Sequence, residues 1–188
     1  MARRVTTKDK WKAKAWYDLV SPKEFGEIVV GETPASDPAA VVGRRVEVAG
    51  NELASGPRLN QVKLILEVES VAGNIAKTKL AGYELANGYV RSIVRRRRKR
   101  VDLVKNVMVD NQKVRIKAIA MTLGKSYRTQ QKLIQGIMDE IITKNVEGKT
   151  LDELIKSILS REIQNEIRGA AKKIFPVASV EIRRVDFI

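Results

Sequence analysis

Arg95-Arg96-Arg97-Arg98-Lys99-Arg100 sets six cations in consecutive positions, five of them guanidinium groups. A guanidinium can donate two parallel hydrogen bonds to one phosphate and lay its flat face on an exposed base, which an ammonium cannot. The chemistry on offer is anion capture, and RNA fits it best. Neither a helix nor a strand can turn six successive side chains away from water, and burying an unpaired charge costs more than a fold supplies. The 22 acidic residues stand singly or in adjacent pairs such as Asp139-Glu140 and Asp152-Glu153, so no local acidic block neutralises the run. The competing reading is a solvated basic patch or an import signal.

A second basic stretch carries Arg3, Arg4, Lys8, Lys10, Lys12 and Lys14 against Asp9 alone. Its apolar content is too low to bury. Residues 1–15 therefore read as an arm that becomes ordered on a phosphate backbone, with Trp11 placed to stack on a base or sugar. The alternative is a solvated tail with Trp11 tucked onto the domain. Arg91, just ahead of the run, joins the same candidate RNA-binding set. If about 6 phosphates are engaged, log K should fall with log salt at a slope of about −4 to −5.

Other chemistries are poorly served. The chain has no cysteine and no histidine, which removes disulfides, thiolate nucleophiles, most zinc sites and the usual general base. Gly124-Lys125-Ser126 resembles the end of a phosphate-binding loop, but Ile119 stands where that motif needs its first glycine, and the intervening residues read as strand. Gly148-Lys149-Thr150 fails in the same way, with Thr143 at the glycine position. The paired carboxylates fall on the polar sides of amphipathic helices. No enzymatic activity, no cofactor and no metal are expected. Lys+Arg 36 against Asp+Glu 22 gives a net charge of +14, which points to nucleic acid. No apolar run approaches the roughly 18 residues of a membrane span, and the N-terminus has no apolar core of a secretion signal, so a soluble intracellular protein without membrane contact is expected.

These side chains need a scaffold to position them. A chain of 188 residues that is 44% hydrophobic can form a single core. Its texture changes at Trp16-Tyr17-Asp18-Leu19-Val20, so a globular domain is expected over 16–188. Glu27 to Val30 and Arg44 to Ala49 are strand candidates. Gln61 to Ser70 alternates, with Val62, Leu64, Leu66 and Val68 on one face, and a turn at Gly73-Asn74 returns the chain as a strand over Ile75 to Leu80. Leu85 to Val94 has helical spacing and delivers the arginine run into a second hairpin, Val101 to Val109 and Lys113 to Met121. From Ser126 the period becomes 3.6, with an apolar stripe of Leu133, Ile134, Ile137, Met138, Ile141 and Ile142, and Gly148 as its stop. Thr150-Leu151-Asp152-Glu153 is a capping box that starts a last helix running to Pro176. A final strand from Ser179 slips its alternation at Arg183-Arg184, as a bulge causes. The run thus sits at a helix-to-strand junction.

Three blocks carry a resemblance: Trp16-Tyr17-Asp18-Leu19-Val20-Ser21-Pro22-Lys23-Glu24-Phe25-Gly26; Val30-Gly31-Glu32-Thr33-Pro34; and Gly88 to Arg97 followed by Arg100-Val101-Asp102. In order and spacing they resemble the S-three-a-e family of small-subunit ribosomal proteins, over about residues 11–188, in an archaeal form. The resemblance implies an α+β fold with an antiparallel β-barrel-like core and packed C-terminal helices. It implies a structural constituent of the small ribosomal subunit, in the cytoplasm, bound to ribosomal RNA at the platform near the mRNA exit region. Neighbouring platform proteins would be its partners, and it would not be a homo-oligomer. Arg91, Arg95, Arg96, Arg97 and Arg100 match the family pattern best, while Arg98-Lys99 stands where small polar residues are expected. From composition alone, a free-standing RNA-binding regulator or RNA chaperone is the alternative.

Overall fold

A computed structural model describes residues 11, 14–53, 59–110, 112–146 and 149–187. The first long hairpin follows from period-2 burial. In β4 (Val62–Ala72), Val62, Leu64, Leu66 and Val68 are buried while Lys63 is exposed. Gly73 takes φ +62, the left-handed conformation a tight turn needs, and β5 (Ile75–Leu85) returns. This strand runs past the expected end at Leu80, because Tyr83 and Leu85 remain in the core and a further strand pairs beside them. Gly82 allows that approach: a Cβ there would lie 2.8 Å from the Val185 carbonyl oxygen.

The second hairpin, β6 (Arg100–Val109) and β7 (Gln112–Thr122), buries Val114, Ile116, Ala118 and Ala120 as their alternation dictates. The last strand, β8 (Val177–Phe187), pairs antiparallel to β7. Lys117 faces Arg184 and Ala118 faces Ile182, so Arg183 is the extra residue of the expected bulge.

Two strands depart from the sequence expectation. Trp16 to Val20 belongs to a strand, β1 (Ala15–Val20), with Tyr17 and Leu19 buried. Its partner β2 (Val29–Ala35) runs on through Gly31 and Pro34, which read as breakers but are tolerated on an edge strand. With β3 (Arg45–Ala49), which a one-turn helix α1 (Gly50–Leu53) follows, the eight strands of the described residues form one sheet ordered β2-β1-β5-β8-β7-β6, with β4 and then β3 branching from β5. One edge of β5 carries β4. The other is shared, Ile75 to Lys77 pairing parallel with β1 and Gly82 to Glu84 pairing antiparallel with β8.

The β-barrel-like core expected from the resemblance is therefore corrected to an open sheet. Among the described residues no pairing joins β6 back to β3 or β2. Helices supply the second layer that closing strands would otherwise provide. The cluster of Leu64, Leu66, Ile116 and Ile182 continues into α3 (Arg128–Val146), α4 (Leu151–Leu159) and α5 (Glu162–Ala171) through Ile134, Met138, Leu154, Ile158 and Ile167. The stop expected at Gly148 lies outside the described residues. Thr150 and Glu153 make both bonds of the capping box. The single last helix expected to Pro176 is two helices instead, broken at Arg161, whose φ of +66 is left-handed. The break re-aims the apolar stripe, so that Leu154, Ile155 and Ile158 before it and Ile163, Ile167 and Ala171 after it are all buried.

Candidate nucleic-acid interface

The arginine run leaves a short helix, α2 (Asn87–Ile93), and enters β6 at Arg100. Both supports are fixed. Tyr89 and Val90 pack against the main core, and the Tyr89 hydroxyl donates to Glu181 Oε1 at 3.0 Å. Between them, Arg97 adopts φ +65 and the Arg98 amide donates to the Arg95 carbonyl, which bends the loop into a turn. Lys99 is then pinned by Thr122, a fully buried residue. Its hydroxyl accepts from the Lys99 amide at 2.9 Å, and its amide donates to the Lys99 carbonyl at 2.9 Å. Arg100 opposes Met121 as the first rung of the β6–β7 ladder.

The side chains of this rigid backbone stand in water. Arg91, Arg95, Arg96, Arg97, Lys99 and Arg100 are exposed, and Arg98 is half-buried. Only Arg100 has an ion-pair partner among the described residues, Asp102 Oδ2 at 2.9 Å, and an exposed pair of this kind neutralises little. The loop is thus a concentrated, uncompensated positive surface on a backbone that is already ordered.

Behind it lies a buried charge relay. Glu181 is 5% exposed on β8, and a carboxylate there must be paired to remain ionised. Arg161, turned inward by the helix break, forms an ion pair with it, and the Tyr89 hydroxyl supplies another hydrogen bond. Burial pulls the Arg161 guanidinium down, but Glu181 and Tyr89 outweigh it and hold it above its ordinary value. Burial, with the Glu181 charge adding to it, pushes the nearby Tyr83 hydroxyl well above the usual tyrosine range.

Of the arm residues expected to bind RNA, Trp11 and Lys14 are described, and Arg3, Arg4, Lys8, Lys10 and Lys12 lie outside the described residues. Trp11 is 63% exposed, and Lys14 Nζ sits 4.1 Å from its ring centroid, a cation–π distance. Both precede β1, which is separated from β6 by β5, β8 and β7 in the sheet. At the usual strand spacing that is on the order of 20 Å. The structure gathers two arginines that the sequence did not single out: Arg161 and Arg168 line a cavity together with Arg95 and Arg98. Their spacing of seven residues, two helical turns, was the available signal.

An α+β domain that mounts an uncompensated arginine loop between a short helix and an edge strand is the class of protein these features define. The chain belongs to the Ribosomal S3Ae family, whose sequence profile it matches over residues 2–188. It is 37% identical over 186 residues to the small ribosomal subunit protein eS1 of Desulfurococcus amylolyticus, covering 98% of this chain and 87% of that one. The proteins of the same name from Methanothermobacter thermautotrophicus and Sulfurisphaera tokodaii are 38% and 35% identical, over 96% and 100% of this chain and 93% and 98% of theirs.

Proposed function

We propose that this protein is a structural constituent of the small ribosomal subunit that binds ribosomal RNA at the platform, near the mRNA exit region and beside other platform proteins. The observation that carries this reading is family membership across almost the whole chain, in relatives named for the small subunit. The arginine loop supplies the physical means. Its backbone is held by Tyr89, Thr122 and the β6–β7 ladder, so on meeting phosphates the arginine side chains are left to order but the loop itself is not. The basic segment ahead of β1, with Arg3, Arg4, Lys8, Lys10, Lys12 and Lys14, adds a second set of cations for the phosphate backbone. Shape and backbone contacts dominate, because phosphate contacts position a protein without reading sequence.

Sedimentation of a low-salt extract of cells making the protein tests the reading. Co-migration with the small-subunit peak is expected. Recovery only at the top of the gradient would refute a ribosomal role and favour a free RNA-binding protein.

A further inference from the structure

Beside the loop, between α2, α5 and β8, lies a cavity of about 380 Å³. That is within the roughly 300–1,000 Å³ range of small-molecule sites. Arg95 and Arg98 enter it from the loop, and Arg161 and Arg168 from the other side. The one acidic residue lining it is Glu181, already engaged by Arg161 and Tyr89. With Arg161 answering Glu181, the three guanidinium groups of Arg95, Arg98 and Arg168 remain without an acid among the described residues, which makes this a site for an anion.

A phosphate alone does not account for the whole lining. Gln164 is 3% exposed and lines the same cavity. Its Nε2 donates to the Ile158 carbonyl at 3.0 Å, while its Oε1 is buried with no hydrogen-bond partner among the described residues. An orphaned buried acceptor is a standing cost that an entering N–H donor removes. A phosphate diester has no donor for it, whereas the ribose 2′-hydroxyl and at least one N–H on the Watson–Crick edge of each of the four RNA bases can donate, and the stacking surfaces beside it favour the base. Tyr89 and the arginine planes add surfaces of the kind on which an unstacked base rests.

We propose that this cavity receives one unstacked nucleotide of the bound RNA strand, its base turned inward toward Gln164 and its phosphate held among Arg95, Arg98 and Arg168. The inference rests on the RNA-binding reading above and adds a base pocket to it. It makes the loop a clamp for a single-stranded or bulged nucleotide as well as a general phosphate contact.

The test uses the full chain and fluorescently labelled RNA hairpins: one set with a single bulged nucleotide, each of the four bases in turn, one without the bulge, and one with an abasic bulge. At least one bulged base should bind about tenfold tighter than the other two controls, the effect of one well-stacked base. Ala178→Leu narrows the cavity without changing charge, and should abolish that preference while leaving the unbulged hairpin within about twofold. Arg168→Gln, at an exposed helix position, should weaken the bulged hairpin more than the unbulged one. Tight but equal binding of bulged, abasic and unbulged hairpins would overturn the pocket and leave RNA binding intact. So would a preference that survives both substitutions. Millimolar AMP, CMP, GMP or UMP, whichever matches the preferred bulge, should erode that preference by competing for the pocket, and a preference untouched by all four would overturn it. Failure to bind any hairpin would overturn both readings.

Discussion

The cations of the outer sheet and those of the arginine loop have the same chemistry and opposite fates. Arg45 faces Glu67 across the β3–β4 ladder and pairs with it at 2.9 Å. Lys63 reaches Glu47 at 2.8 Å, and the hydrogen bond holds its ammonium above its ordinary value. Arg184 is opposite Glu84 and hydrogen-bonds Asp186, which raises its guanidinium likewise. Strand register delivers an acid to each of these cations at a fixed separation. The loop has no register, so nothing delivers an acid to Arg95, Arg96, Arg97 or Arg98. The net charge of +14 is therefore unevenly answered: Arg45, Lys63 and Arg184 meet acids inside the sheet, whereas Arg95 to Arg98 form a block that only an external anion meets.

Replacing all of Arg95 to Arg100 with Gln breaks the comparison at its strongest point. RNA affinity should fall about a thousandfold at low salt, and the slope of log K against log salt should flatten by about 4 units, as expected for losing about 6 phosphate contacts. Filter binding across a salt series measures both. An unchanged slope would mean that the phosphates are held elsewhere.

The Glu181 cluster is the intermediate case, a cation and an acid paired out of water. Arg161→Met would leave a buried carboxylate with only the Tyr89 hydroxyl to answer it. Breaking a buried pair costs roughly 3–5 kcal/mol, and the partial exposure of Arg161 places this one below that range, at about 2–3 kcal/mol. A urea-unfolding midpoint reads it directly. Glu181→Gln with Arg161→Met should recover part of the loss, since the charge left behind is then gone.

Much of this arrangement can be read from residues alone. The two long hairpins follow from strict alternation in Val62 to Val68 and Val114 to Ala120, and the bulge from the slip at Arg183-Arg184. β1 was obscured because Trp16 and Val20 put apolar groups on the face opposite Tyr17 and Leu19. The break at Arg161 has no glycine or proline to announce it; tertiary burial of both helix halves, and the pull of Glu181, decide it. The loop needs only consecutive charges to be recognised, but its cavity is assembled from residues 89–98, 161–168 and 178–181, which no local pattern brings together. Barrel closure is likewise a question of which edges meet, and the branching at β5 leaves no trace in periodicity.

Tyr83 sharpens the interior side of the comparison. It is 3% exposed, and its proton is held by burial first and by the Glu181 charge second. In the unfolded chain a tyrosine loses its proton near pH 10, while in the folded state Tyr83 keeps it to higher pH. Above about pH 10 the folded state therefore binds more protons than the unfolded one, and stability falls as pH rises. At pH 11 the loss attributable to this residue should be about 1.4 kcal/mol, one pH unit past the unfolded value. Tyr83→Phe should remove that increment, seen as a smaller drop in unfolding midpoint between pH 9 and pH 11. An identical drop in both proteins would show that Tyr83 titrates normally in the fold.

The smallest effects belong to the cancelled cations, and they decide whether register or mere abundance of charge matters. Arg45→Gln with Lys63→Gln removes two positive charges, as many as removing two loop arginines would. Exposed ion pairs in water contribute little, so the urea-unfolding midpoint should fall only slightly. If the loop acts through local concentration of unpaired guanidinium groups, RNA affinity in this double variant should change less than about threefold, with the salt slope unaltered. Arg96→Gln with Arg97→Gln, the same change in net charge, should flatten the slope by about 1.5 units. Equal losses in the two variants would mean that RNA responds to overall charge alone, and that mounting the arginines between α2 and β6 adds nothing to binding.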